Sequence, residues 1–121
     1  MWGRPSVKRQ YPEDALCIAL VQHIELRKRP GLLYLHIPNG GRRGPREAGR
    51  LKAMGVRRGA SDYLFLRHGQ AYFLEVKDDD GRPSPEQMTF ILDAEHAGAL
   101  GAVVYGIDQA LAKLVAWDLL T

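Results

Sequence analysis

Two apolar runs, Asp62 to Leu66 and Ala71 to Val76, stand on either side of Arg67-His68-Gly69-Gln70. Short apolar runs around a glycine-bearing turn signal predict the two strands of a hairpin. Centring the turn on His68-Gly69 pairs Arg67 with Gln70, Leu66 with Ala71 and, at the open end, Asp62 with Glu75. A symmetric four-residue loop keeps the same register. Directly opposed residues share a face, with Cβ atoms about 5 Å apart. Alternation then brings Lys77 to that face as well. The hairpin thus gathers Asp62, Glu75 and Lys77 at one end, far from its turn. Otherwise both faces are apolar, with Leu64, Leu66 and Phe73 on one and Tyr63, Phe65, Tyr72, Leu74 and Val76 on the other. Such strands are expected to be central in a sheet and buried on both sides.

The rest of the chain supplies the covering layers. Residues 12–28 predict a helix: Leu16, Leu20 and Ile24 recur every fourth position, with Cys17 and Val21 beside them. Pro12, Glu13 and Asp14 suit its start, and Arg27-Lys28-Arg29 its end. Leu32 to Ile37 predicts a strand closed by Pro38-Asn39-Gly40-Gly41, and Pro45 to Met54 a short helix stopped by Gly55. Ser84-Pro85-Glu86-Gln87 is a capping box opening a helix to about Ala97. Ala102 to Tyr105 predicts a fourth strand, and Asp108 is expected to cap a last helix. The order α-β-α-β-β-α-β-α is an α/β chain with a mixed central sheet flanked by helices.

A chain of 121 residues makes one domain and holds a core without staples. Its 45% hydrophobic and 26% charged residues exclude a disordered, collagenous or coiled-coil chain. The longest apolar run, Ala15 to Val21, is too short to span a bilayer, so no membrane association is expected. The first residues lack an apolar signal region, and the single Cys17 reads as a small core residue in a reducing compartment. Both predict a cytoplasmic protein. His23, His36, His68 and His96 have no zinc-ligand spacing, and Asn39-Gly40-Gly41 fits neither a P-loop nor a dinucleotide fingerprint, so no nucleotide cofactor is expected.

Two opposed carboxylates at the end of a buried sheet repel each other and are costly to desolvate. Lys77 supplies a single charge against them. A divalent cation answers the remainder, and an oxygen-only donor set of two carboxylates with water and phosphate oxygens suits Mg²⁺, with Mn²⁺ substituting. Glu13 lies three residues before Leu16 on the buried stripe of the first helix, and could point into the same cleft. Its spacing alone equally fits compensation of the helix dipole.

Charge is divided along the chain. Residues 1–58 hold thirteen Lys/Arg against four Asp/Glu, and residues 59–121 hold four against ten. Arg42, Arg43, Arg46, Arg50, Lys52, Arg57 and Arg58 crowd together with Glu47 alone opposing them. A block this basic and this rich in Arg is the footprint of a polyanion such as DNA. With it, the Asn39-Gly40-Gly41 loop and the helix after Pro45 would offer backbone N–H groups and guanidinium groups to phosphates.

These residues resemble a known family. Asp62 followed by Glu75-Val76-Lys77 at the end of the next strand is similar to the PD-(D/E)xK nuclease motif. The stretch from His36 to Phe90 more particularly resembles the VRR-NUC domain, the virus-type replication-repair nuclease. Its matching words run from Pro45 to Gly59, then Ser61-Asp62, Tyr72 to Lys77, and Gly81 to Gln87, with Ser61 in place of the motif's proline. The resemblance implies a restriction-endonuclease-like fold. It implies Asp62 and Glu75 as metal ligands joined by Glu13 and the Val76 carbonyl, Lys77 as the catalytic lysine, and Gln87 as a polar residue facing the site. Gln87 also reads fully as the capping-box partner. The expectation is a Mg²⁺-dependent endonuclease that cuts branched or Holliday-junction-like DNA as a homodimer. Two other readings stand beside it: a non-catalytic nucleic-acid-binding module on the same fold, and a structural subunit with a solvated basic loop.

Overall fold

The computed structural model describes residues 12–38 and 43–121. The chain runs α1 (Pro12–Arg27), β1 (Leu33–His36), α2 (Pro45–Ala53), β2 (Tyr63–Arg67), β3 (Gln70–Lys77), α3 (Pro85–His96), β4 (Leu100–Tyr105) and α4 (Gly106–Ala116). One four-stranded sheet has the order β1-β2-β3-β4. The first three strands form an antiparallel meander, and β4 lies parallel to β3 after the α3 crossover. The sheet is mixed, as the alternation of elements predicts.

The hairpin has the expected register, with Arg67 opposite Gln70, Leu66 opposite Ala71 and Tyr63 opposite Leu74. His68 and Gly69 both take positive φ, 52° and 80°. Two such residues make the tight turn whose twist matches the flanking strands, which fixes register without slippage. Strand β3 outruns β2, so Glu75, Val76 and Lys77 pair on one side with Val103, Val104 and Tyr105 of β4. Their other side opens where β2 has not yet begun.

One face of the sheet carries the main core. Tyr63, Phe65, Leu74, Val76 and Val104 pack there with Leu20 and Ile24 of α1, Ala110 and Leu114 of α4, and Leu119 and Leu120 beyond it. The fourfold spacing in α1 thus does what its period requires. Each fully buried aliphatic side chain in this layer contributes about 1.5–3 kcal/mol.

The second face departs from expectation. Helix α3 lies against β4, and Phe90 meets Phe73 edge-on at 5.0 Å. Leu33, Leu35 and Leu66, on the β1–β2 half, remain exposed. Helix α2 has no buried residue, so it stands off the sheet instead of covering that half. The last helix also differs. It starts at Gly106 with Tyr105 at the cap and no side-chain cap among the described residues, so Asp108, expected as the cap, falls in the first turn, and Gln109 Oε1 reaches back to accept the Tyr105 N–H at 2.9 Å. A glutamine one turn inside a helix can reach back to the cap, which moves the start upstream. Among the described residues, no helix is long and apolar enough to cross a membrane.

Candidate active site

The open end of the hairpin, the start of α1 and the first turn of α3 converge on a cleft of about 570 Å³. Asp62 and Glu75 line it together with Glu13, His36, Arg58 and Gln87. Each element places its residue by a local rule. The Ile37 N–H donates to the Asp62 carbonyl at 2.7 Å, which holds the Asp62 backbone against the end of β1. Asp62 Oδ2 in turn accepts the Val76 N–H at 2.7 Å. A charge-assisted bond of that length fixes the carboxylate while leaving its other oxygen free of that contact. In an extended strand the Val76 carbonyl points to the same side as its N–H, toward Asp62.

Glu75 is 1% exposed. Its Oε2 receives two donors, Lys77 Nζ at 3.2 Å and Gln87 Nε2 at 3.1 Å. Its Oε1 is buried with no partner among the described residues. Burial pushes the Glu75 carboxyl up to about 8, the Asp62 carboxylate adds to the rise, and Lys77 pulls against both. Lys77 Nζ also lies 3.9 Å from Glu13 Oε2. Burial raises Glu13 above its ordinary range, with Lys77 opposing.

Gln87 combines both roles that its position suggested. Its Oε1 accepts the Ser84 N–H at 2.8 Å as the capping-box partner. That bond turns the amide nitrogen toward Glu75, so the same side chain caps α3 and orients a site carboxylate.

The structure therefore brings Asp62, Glu75, Lys77, Gln87 and Glu13 together. Among the described residues, no group of three or more His, Cys, Asp or Glu is spaced to enclose an ion. Mg²⁺ rarely needs such a cage. One or two carboxylates with waters and phosphate oxygens suffice, and the pair here with the Val76 carbonyl fits that donor set. A buried carboxylate oxygen without a donor is costly, and a hard cation is a partner of the right chemistry for it.

The basic block is split by the fold. Asn39 and Arg42 lie outside the described residues. Arg43, Arg46, Arg50 and Lys52 are exposed on or before α2. Arg57 is engaged elsewhere: it pairs with Asp93 and lies 5.3 Å from the centre of the Phe90 ring. Arg58 lines this cleft and also a neighbouring hollow of about 590 Å³ shared with Arg43, Lys52 and Arg57.

Sequence reasoning gave three positions no structural role. A Cβ on Gly59 would sit 2.5 Å from the Glu86 carbonyl carbon. A Cβ on Gly81 would press at 3.2 Å on Glu13 Oε2, Lys77 Cδ and Asp78 Oδ1. Both glycines mark close approach of backbone to the site, which a lone sequence does not distinguish from an ordinary turn. The third is Ser61, 1% exposed, whose Oγ is buried without a partner among the described residues. An unpaired buried hydroxyl stabilises nothing, so Ser61→Ala is expected to leave stability unchanged or raise it by up to about 1 kcal/mol. A urea midpoint reads this directly, and a loss of more than about 1 kcal/mol would reveal a partner for the hydroxyl.

No protein-family model matches this chain, and no curated protein does. Among solved structures, one titled "VRR_NUC domain protein" superposes with a TM-score of 0.71 at 22% identity, covering 87% of this chain and 86% of that one. A second, titled "VRR_NUC domain", gives 0.57 at 24% identity over 86% of this chain and 94% of that one. The chain has the restriction-endonuclease-like α/β fold of these domains.

Proposed function

We propose that this protein is a metal-dependent nuclease that hydrolyses DNA phosphodiester bonds, with Mg²⁺ as its ion and Mn²⁺ able to replace it. One observation carries the reading: a buried carboxylate, Glu75, held between Asp62 and Lys77 with one oxygen left unpartnered among the described residues. A fold gains no stability from such an arrangement, whereas a cation site requires it. Asp62, Glu75 and the Val76 carbonyl would hold the ion, with Glu13 behind Lys77. Bound there, it supplies a lowered pKa for a coordinated water and neutralises charge at the phosphate. Gln87 keeps the Glu75 carboxylate oriented. Lys77 presents its ammonium group to orient the attacking water and to stabilise the charge that develops in the transition state. Arg58 at the cleft rim meets the phosphate, and Arg43, Arg46, Arg50 and Lys52 take flanking phosphates. Branched DNA as substrate and a two-fold homodimer belong to the same proposal, on the strength of the resemblance.

The test is a cleavage assay with Mg²⁺ or Mn²⁺ on matched linear, flap and four-way DNA. The expected result is product that chelator abolishes and that the four-way or flap substrate gives fastest. Cleavage indifferent to chelator would refute the metal mechanism. Salt-sensitive binding without product under either ion would point to the non-catalytic module.

The carboxyl cluster also predicts a pH signature. Glu75 keeps its proton in the fold up to about 8, against an ordinary value of 4.5. Between those values the folded chain holds a proton that the unfolded chain has lost, so stability falls as pH rises. The raised Glu13 acts in the same direction. Metal ligation needs the deprotonated carboxylate. Thermal melts are therefore expected to show a midpoint that declines from pH 5 to pH 8.5 in chelator, and a Mg²⁺-induced rise larger at pH 8.5 than at pH 6. A Mg²⁺ shift that does not change with pH would contradict the assignment of Glu75.

A further inference from the structure

The cleft continues into a second cavity of about 560 Å³ between α1 and β1. Glu13, Asp14, His36 and Asp62 line both, so the two spaces share a wall at the site carboxylates. Its size falls within the range of small-molecule sites, about 300–1,000 Å³. Beyond the shared wall the lining changes character. Cys17, Ile18, Val21 and the Tyr63 ring form apolar sides, and Gln22 offers an amide at the rim. The His36 ring stands 5.2 Å from the Tyr63 ring, tilted by 57°. The Tyr63 hydroxyl donates to the Cys17 carbonyl at 3.3 Å, which ties this buried ring to α1 behind the cavity floor. Ile18 is 64% exposed, an apolar side chain on a helix surface with nothing packed over it.

Charge decides what can enter. Glu13, Asp14 and Asp62 lie on the wall the two spaces share, but Arg58 lines only the cleft, which the basic hollow adjoins, and among the described residues no Lys or Arg lines this cavity. A phosphate meets a guanidinium group in the cleft, whereas in the cavity it meets carboxylates with no cation to offset them. A flat, neutral, aromatic group attached to a phosphate meets both sides correctly. Resting on the nuclease reading above, we propose that the α1–β1 cavity receives an unpaired nucleobase of the DNA strand whose phosphate lies at Asp62 and Glu75. The base packs between Ile18 and the exposed His36 ring, which the buried Tyr63 backs from the core, with the Gln22 amide at its polar edge. A base still paired in a duplex must be unstacked first, so the cavity favours strands that are already single at that position.

The test uses duplexes with a single-stranded overhang that carry 2-aminopurine at successive positions, bound with Ca²⁺ in place of Mg²⁺. One position is expected to brighten as its base leaves the stack. Ile18→Asp places a charge in the apolar wall at an exposed site that the fold does not need. It is expected to abolish the brightening and to weaken overhang binding by about tenfold, with duplex affinity within about twofold. Ile18→Leu is expected to keep both. An overhang bound without brightening at any position, or brightening untouched by Ile18→Asp, overturns the proposal while the nuclease reading stands. Failure to bind the overhang overturns it as well. Brightening that responds to Ile18→Asp in a protein that cuts nothing with Mg²⁺ leaves the base site in place and removes the nuclease reading.

Discussion

Replacing Lys77 with methionine is expected to lower cleavage by about 10³-fold or more and to leave DNA affinity within about twofold. Methionine keeps the length and most of the volume of the buried stem, so packing beside Glu75 survives while the ammonium group is lost. That group lies 3.2 Å from Glu75 Oε2 and 3.9 Å from Glu13 Oε2. It is 7% exposed and therefore not a surface cation that holds DNA. On the proposed reading, binding falls to exposed arginines on another element, which is why the two properties are expected to separate. Glu75→Gln gives the complementary case. The amide oxygen of glutamine can still accept from Gln87 Nε2, but it no longer offers a charged ligand. Its cleavage is expected to fall as far as that of Lys77→Met, and its melting point in chelator to lose most of the decline between pH 5 and pH 8.5. Filter binding, single-turnover cleavage and thermal melts on the two variants check these outcomes together. Either variant retaining more than about a tenth of the wild-type rate would remove its residue from the chemistry.

Gly59→Ala is expected to destabilise the fold by about 3–5 kcal/mol, among the largest effects of any single substitution. Gly59 is buried with φ of +88°, and an added Cβ would stand 2.5 Å, 2.6 Å and 2.8 Å from the carbonyl carbon, carbonyl oxygen and Cβ of Glu86. These are mostly backbone atoms in the first turn of α3, so no rotamer change relieves the contact. Either α3 or the segment leading to Asp62 must shift, and both position site residues. Gly55→Ala is the control. Gly55 has φ of +101° and nothing within 4 Å of its would-be Cβ. It carries the backbone strain without the collision, at about 1–2 kcal/mol. Urea unfolding of the two variants reads the difference, and equal losses would show that the contact with Glu86 relaxes freely.

The hairpin was fully specified by local chemistry. A period of two along each strand and a turn with two positive-φ residues leave one register, and that register sets Asp62 beside Glu75 before any other element is placed. The capping box at Ser84 and the fourfold apolar stripe of α1 are local in the same sense, as both depend on residues within a turn or two of each other. The start of α4 differs because the helix leaves β4 directly, with Tyr105 both the last strand residue and the cap, so Asp108 lies inside the first turn instead of before it.

What the linear pattern left open concerns contacts between residues far apart in the chain. Glu13 fitted two roles from spacing alone, and only the packing of α1 against β3 turned it toward Lys77. Gln87 had to be folded next to Glu75 before its two ends acquired two jobs. Arg57 and Arg58 are neighbours of one type, yet Asp93 and Phe90 engage the first while the second faces the cleft. Sequence periodicity sets which face a side chain takes. Which distant groups it meets there, and the resulting burial and charge, are set only when the layers close on one another.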